Sequence, residues 1–234
     1  MKLRSVASPL RGWVHRAPVR ARCAAADALE SRDRREGSWP PALMRFRVHG
    51  AADLASYRQV AERCAEDVLA AVRTVGDDPL QLRSVLDFGA GCGRTLRFLR
   101  PRLPDAKFTA CDVDGESVAW ARARDPGISW HHTADLPPLP SADGQFDLIY
   151  AISVFTHLDE SRQFAWLDEL RRVAKPGGLL LLTVQGEGSG KGIESLGACN
   201  WKGFHPGWYQ DTAHSEEYVR RAFSRNLSLI SVLH

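Results

Sequence analysis

The chain has 234 residues, of which 44% are apolar and 25% charged, and its formal net charge at pH 7 is +3. That length suits one globular domain with or without an appendage, and a charge so close to balance gives no reason to expect a nucleic-acid partner. The five cysteines never stand at Cys-x-x-Cys spacing and no apolar run approaches the ~20 residues of a membrane helix, so we expect reduced thiols, no metal site, no membrane span and a cytoplasmic location.

The N-terminal third of the sequence predicts helices. Prolines bracket a helix at 19–33, and the pair Pro40 and Pro41 makes 37–50 an extended connector, because the residue before a proline disfavours helix. After this connector, apolar residues recur at steps of three and four, which predicts one amphipathic helix of about six turns that ends near Gly76. Its apolar stripe consists of Leu54, Tyr57, Ala61, Cys64, Val68 and Val72.

After this helix the pattern alternates between short apolar runs and helical stretches. The predicted strands are 84–88, 107–111, 128–131, 146–152 and 178–184, and the predicted helices between them are 93–100, 115–124 and 160–173. Such alternation predicts an α/β fold, a Rossmann-like doubly wound and mostly parallel sheet with helices on both faces. We therefore divide the chain into a helical extension and cap, 1–76, and a main domain, 77–234.

A glycine-rich turn follows the first predicted strand. The segment DFGAGCG (87–93) has Gly89 and Gly91 where the backbone must turn tightly and approach a ligand without a Cβ in the way. Asp112 ends the second strand, 23 residues after Gly89, and can accept both hydroxyls of a ribose. Asp135 follows the third strand and can accept the exocyclic amine of an adenine. The pattern predicts a nucleoside site at the carboxyl ends of the strands.

Four motifs succeed one another over roughly residues 80–185: VLDFGAGCGRTLRFL, ACDVDGESVAWAR, TADLPPLPSADGQFDLIYAISVFTHL and LDELRRVAKPGGLLLLTV. Together they resemble the class I S-adenosylmethionine-dependent methyltransferases, in particular a bacterial subgroup of small enzymes. The resemblance implies S-adenosylmethionine as cofactor. The implied contacts are the methionyl end of the cofactor for Asp87, Gly89, Ala90, Gly91, Ile152 and Ser153, the ribose for Asp112, and the adenine for Val113, Asp135 and Leu136.

An oxygen acceptor needs a group that removes its proton, and histidine titrates near neutral pH. His157 follows the fourth strand and is predicted as a catalytic base, with Asp159 either orienting it or capping the next helix. His214 is the second catalytic candidate. The aromatic, irregular stretch after the fifth strand is predicted to form the wall over a small-molecule acceptor, through His205, Trp208 and Tyr209.

The end of the chain departs from the usual pattern of this family. A helix at 215–225 leads into one predicted strand, 227–233, and the final antiparallel strand has no counterpart. An open sheet edge leaves backbone groups unpaired. Either the sequence is cut short, or the sheet is incomplete, or a neighbour covers the edge; of these we expect a second copy of the chain to cover it as a homodimer.

Methylation of oxygen or nitrogen on a sugar or natural product is the favoured function, and three alternatives stay open. A nicotinamide-dependent oxidoreductase fits less well, because the sixth position of its Gly-x-Gly-x-x-Gly turn is Arg94 here. An RNA methyltransferase could use the arginines of the N-terminus, but AISVFT offers no Asn-Pro-Pro-Tyr-like pocket. A binding module that holds the cofactor without turnover is the third.

Overall fold

A parallel five-stranded sheet lies at the centre of the protein in a computed structural model, which describes residues 9–30, 39–186, 193–198, 206–225 and 227–229. The strands are β1 (Ser84–Phe88), β2 (Lys107–Asp112), β3 (Ser129–His132), β4 (Phe146–Ala151) and β5 (Ala174–Leu182). Their order is β3-β2-β1-β4-β5, so the chain winds outward from β1 in both directions. The register places Asp87 of β1 beside Tyr150 of β4, which aligns the carboxyl ends of these two strands.

Helices cover both faces of this sheet. They are α1 (Pro9–Leu29), α2 (Ala42–His49), α3 (Leu54–Thr74), α4 (Leu96–Leu99), α5 (Gly115–Arg124), α6 (Glu160–Val173) and α7 (Glu216–Ala222). Neighbouring strand residues point to opposite faces, so Val85 joins the cluster under α3, α4 and α5 while Leu86 joins the cluster under α6 and α7. The predicted doubly wound α/β fold is confirmed. Of the predicted apolar stripe of α3, Val68 and Val72 pack against the sheet, Leu54 and Tyr57 join a separate cluster around Trp39, and Cys64 is half-buried. The division at residue 76 stays a prediction.

The N-terminal segment differs from its prediction in two ways. Helix α1 begins earlier than residue 19 and continues through Pro18, although a proline removes one helical hydrogen bond. The predicted connector contains helix α2, whose first N–H, that of Ala42, donates to Asp27 of α1 at 3.0 Å. The buried Arg45 of α2 binds Glu30 and donates to the Ala52 carbonyl at 2.9 Å. These tertiary contacts stabilise a helix that the local proline signal disfavours.

The elements after β5 were only partly predicted. Strands β6 (Ile193–Ala198) and β7 (Gln210–His214) form a separate antiparallel pair that the sequence pattern did not show. The predicted helix at 215–225 is α7 followed by a 3₁₀ turn, Phe223–Arg225. Of the predicted strand 227–233, residues 227–229 are not a strand and 230–233 lie outside the described residues. The covering of the sheet edge by a second copy stays a prediction.

Smaller differences concern element boundaries. The helix predicted at 93–100 is a turn at 91–95 followed by the short α4 and a 3₁₀ turn, Arg100–Arg102. Strand β5 begins directly after α6, before the glycines that were predicted to precede it. Within the described ranges, we find no helix that is both long and apolar enough for a membrane span.

Candidate functional site

A cleft of about 400 Å³ opens at the carboxyl ends of β1, β2 and β4. Open parallel sheets bind their ligands at this edge. Most of the residues that the sequence singled out come together here. Those that line the cleft are Asp87, Gly89, Ala90, Gly91, Asp112, Val113, Asp135, Ile152, Ser153, His157, Trp208 and Tyr209.

The glycine turn forms the floor of the cleft and needs glycine for two reasons. Gly89 and Gly91 have φ of +80° and +55°, in the left-handed region that side chains disfavour. A Cβ on Gly89 would lie 2.2 Å from Cγ2 of Val154, and one on Gly91 would lie 2.8 Å from Cγ2 of Val48 in α2. The turn is therefore closely packed against the loop after β4 on one side and the N-terminal segment on the other.

Asp112 joins the glycine turn to the end of β2. Its Oδ2 accepts the N–H of Gly91 at 2.6 Å, and its Oδ1 accepts the N–H of Asp114 at 2.7 Å. Burial raises the pKa of this carboxyl above its ordinary value, and the two N–H donors oppose the rise. The carboxylate is held rigidly at the rim of the cleft, as a group that binds vicinal hydroxyls must be.

Asp87 lies deeper in the same cleft, at the end of β1. Its Oδ2 accepts a hydrogen bond from the Tyr150 hydroxyl, with the two oxygens 2.8 Å apart. Burial raises the pKa of Asp87 to about 7; the Tyr150 hydrogen bond and the charge of Arg94 lower it, while Asp112 raises it. A carboxyl in this state ionises readily when a cationic ligand approaches.

Arg94 is a site residue that the sequence reasoning missed as a binding group. It lines the cleft, and its Nε is buried without a hydrogen-bond partner. Among the residues that the structure describes, its guanidinium forms no ion pair or hydrogen bond of its own. A buried polar atom without a partner is costly, so Arg94 can hold an anionic group of a ligand. Its place in the glycine turn was the available signal.

Arg47 and Val48 bring α2 to the cleft. Arg47 pairs with Asp114 at 3.1 Å and with Glu116 at 2.8 Å, both at the start of α5. Val48 packs against Gly91. No sequence pattern marked these residues, because the segment was predicted as an extended connector.

The outer end of the cleft holds Asp135 and Trp208. The Asp135 carboxylate accepts from Nη2 of Arg162 at 3.0 Å, and the Arg162 guanidinium lies 5.3 Å from the ring centre of Trp208. Leu136 is 46% exposed and does not line the cleft, whereas Asp135 does. Asp159 caps α6 through the N–H of Arg162 and also binds its guanidinium, so it does not orient His157.

His157 lies in the 3₁₀ turn Phe155–His157 after β4. Its Nδ1 is 3.2 Å from Oδ1 of Asp211 and 3.3 Å from the Gln210 carbonyl oxygen. Its ring stacks on Tyr209, with ring centres 4.2 Å apart and planes inclined by 19°. This places an imidazole at the wall of the cleft, with the Asp211 carboxylate behind it.

His214 does not line the cleft. It is buried in β7, its Nε2 lies 3.0 Å from Oε1 of Gln163, and burial lowers its pKa. The amide nitrogen of Gln163 donates in turn to the carbonyls of Phe155 and Leu158, at 3.0 and 2.9 Å. His214 therefore supports the turn that carries His157. The predicted substrate residue His205 lies outside the described residues.

A comparison with known protein families matches residues 85–178 to the methyltransferase domain. Over 150 residues the chain is 33% identical to a malonyl-[acyl-carrier protein] O-methyltransferase from Geobacter sulfurreducens, which covers 62% of this chain and 54% of that protein. It is 29% identical over 163 residues to a probable chloroplastic tocopherol O-methyltransferase from Oryza sativa, over 65% of this chain and 44% of that protein. The chain spans about half the length of these curated relatives.

Among solved structures, a SAM-dependent methyltransferase from Aquifex aeolicus is 29% identical and covers 55% of this chain and 68% of its own, with a TM-score of 0.44.

Proposed function

We propose that this chain, which belongs to the class I S-adenosylmethionine-dependent methyltransferases, transfers the methyl group of that cofactor to an oxygen or nitrogen atom of a small molecule bound in the cleft. One observation carries the proposal. The cleft combines a rigid carboxylate, a buried carboxyl that can ionise and a half-buried guanidinium with an unpartnered Nε, around a closely packed glycine turn. These are the groups that the hydroxyls, ammonium and carboxylate of this cofactor require.

The residues present fit the cofactor in a definite orientation. Asp112 would bind the ribose hydroxyls, Asp87 the methionyl ammonium and Arg94 the methionyl carboxylate. Val113 and Asp135 would face the adenine, whereas Leu136 lies outside the cleft and is left without this role. The remaining contacts to the methionyl end would come from Gly89, Ala90, Gly91, Ile152 and Ser153. When bound, S-adenosylmethionine supplies an activated methyl group, so the protein mainly orients the reactants and excludes water.

The acceptor would bind between the methionyl end and the aromatic wall of Pro206, Trp208 and Tyr209. Such a wall suits a ring-bearing molecule, which is compatible with a sugar or natural product. The two relatives are named for a malonyl group on a carrier protein and for a tocopherol, so their names do not agree on one acceptor. We propose His157 as the general base and His214 as a residue that positions it through Gln163.

Calorimetry with S-adenosylmethionine and with NAD tests the cofactor. We expect binding of the first and none of the second, and the reverse result would favour an oxidoreductase. Release of S-adenosylhomocysteine over a panel of hydroxyl, amine and RNA acceptors then tests turnover. Release only with RNA would overturn the small-molecule assignment, and cofactor binding without release over the whole panel would support a binding module.

Cofactor affinity should rise with pH. The folded pKa of Asp87 is about 7, so below that pH the carboxyl is protonated and must lose its proton to pair with the methionyl ammonium. A carboxyl with this pKa makes the affinity about tenfold weaker at pH 6 than at pH 8. Calorimetry in buffers of different ionisation enthalpy measures the released proton. Asp87→Asn should abolish both the proton release and the pH dependence; their persistence would show that another group is responsible.

A further inference from the structure

We infer that Asp211 is a positioning residue for His157, and that the acceptor atom is the oxygen of an un-ionised hydroxyl group. The inference rests on the proposed function, because it concerns the acceptor side of the same cleft. No sequence motif indicated the contact between these two residues. Asp211 lies in β7, 54 positions beyond His157 in the chain, and is joined to it only by the fold.

The contacts of Nδ1 determine which nitrogen of His157 carries the proton. Its two neighbours, the Asp211 carboxylate at 3.2 Å and the Gln210 carbonyl at 3.3 Å, can only accept. The neutral ring therefore has its hydrogen on Nδ1 and a free lone pair on Nε2. Among the described residues, Nε2 has no hydrogen-bond partner, and the side chain lines the cleft. The basic nitrogen is thus available to a ligand.

The position of the ring is also fixed. Tyr209 stacks on its face, and the carbonyls of its turn are held by Gln163 and by the hydroxyl of Thr212, which donates to the Phe155 oxygen at 3.1 Å. Strand β7 thus supplies both the carboxylate and part of the clamp on the turn. A base that is restrained from three directions keeps the geometry that proton transfer needs.

The electrostatics suit a base that works near neutral pH. Burial lowers the pKa of His157, while the Asp211 charge and the Gln210 carbonyl raise it. Among the described residues, the other titratable side chain in contact with the ring is Tyr209, in the segment just before β7. The ring is therefore neutral before the reaction, and the carboxylate stabilises the imidazolium that forms.

A hydroxyl acceptor loses its proton as the methyl group is transferred. The acceptor oxygen bonds to the methyl carbon while the bond from that carbon to sulfur breaks, and the sulfur keeps the electron pair. The hydroxyl proton passes to Nε2 of His157 and then to water. A carboxylate has no proton to lose, and a neutral amine is nucleophilic enough to attack before it loses one, so neither requires this base. The pair of His157 and Asp211 therefore indicates an alcohol or phenol.

Nuclear magnetic resonance of the ¹⁵N-histidine-labelled full chain tests the positioning role without any acceptor, with His157→Gln to assign the signals. We expect the Nδ1–H tautomer in the unaltered protein. Asp211→Asn keeps an acceptor oxygen but removes the charge, and should lower the pKa of His157 by about 0.5 unit or more. Glu217→Gln removes an exposed carboxylate from α7 and should leave that pKa unchanged. An Nε2–H tautomer, or an unaltered pKa in Asp211→Asn, would overturn the inference.

Activity tests the acceptor class. With S-adenosylmethionine and a panel of alcohols, phenols, carboxylic acids and amines, we expect S-adenosylhomocysteine release with hydroxyl compounds. Asp211→Asn should slow this release several-fold. It should also move the acidic limb of the pH–rate profile to lower pH, because a His157 with a lower pKa loses its proton at lower pH. Turnover with carboxylic acids or amines alone overturns the inference and leaves the proposed function intact. Failure to bind S-adenosylmethionine, or no release at all, counts against the proposed function, and the tautomer result still decides the role of Asp211.

Discussion

Substituting Gly89 with alanine should destabilise the protein and abolish cofactor binding. At φ of +80°, a left-handed alanine costs about 1–2 kcal/mol of unfolding free energy. Its Cβ would also lie 2.2 Å from Cγ2 of Val154, and overpacking of this kind costs a further ~1–3 kcal/mol. We expect the midpoint of thermal unfolding to fall by roughly 5–15 °C. Relief of the clash would displace the glycine turn and with it the floor of the cleft.

Two variants separate the contributions. Gly76 has a similar φ of +90°, and a Cβ there would meet nothing within 4 Å, so Gly76→Ala should show the conformational cost alone. In the double variant Gly89→Ala with Val154→Ala, the clash disappears and part of the lost stability should return. Equal unfolding midpoints for Gly76→Ala and Gly89→Ala would refute the close packing of the turn against Val154.

Arg94→Ala should weaken S-adenosylmethionine binding by about 10–100-fold, because a charge-assisted hydrogen bond contributes about 1.5–3 kcal/mol. Removing this side chain breaks no ion pair with the residues that the structure describes. The free energy of unfolding without cofactor should therefore stay within about 1 kcal/mol of the unaltered value. Titration calorimetry and urea unfolding measure the two quantities separately.

Arg63→Ala is the matched control for the loss of one positive charge. Arg63 is 75% exposed on α3, pairs only with Asp67 four residues on among the contacts described, and lies outside the cleft. Its removal should leave cofactor affinity unchanged. Arg94→Lys should recover part of the affinity, since it restores the charge without the planar fork. Unchanged affinity in Arg94→Ala would remove this side chain from the site.

The sheet and the glycine-turn end of the cleft were predictable because their signals are local. Apolar runs such as that of β1 and the turn at 87–93 depend on residues near in sequence, and the sheet brings strand ends to one edge whatever the loops contain. Asp87 and Asp112 could therefore be placed at the cleft from their position at the carboxyl ends of two strands. Their binding roles remain predictions until cofactor binding is measured.

The features that the sequence did not predict depend on tertiary contacts. Helix α2 forms although Pro40 and Pro41 precede it, because Asp27 caps its first turn and Arg45 is bound on several sides. The partner of His157 was sought nearby at Asp159, whereas the packing of β7 against the turn after β4 places Asp211 there. His214 gives no local sign that it faces the core.

Helix α2 also links occupancy of the cleft to the state of the N-terminal segment. Val48 packs against the glycine turn, and Arg47 pairs with Asp114 at the start of α5. The surface of the cleft is therefore complete only when α2 is docked. A ligand that binds only this complete surface stabilises the docked arrangement of α2. The free energy by which the ligand stabilises docking equals the free energy by which docking strengthens ligand binding. We therefore expect the N-terminal segment to be thermodynamically coupled to a ligand of the cleft. Removing or undocking it would lower affinity even with every residue of the glycine turn intact.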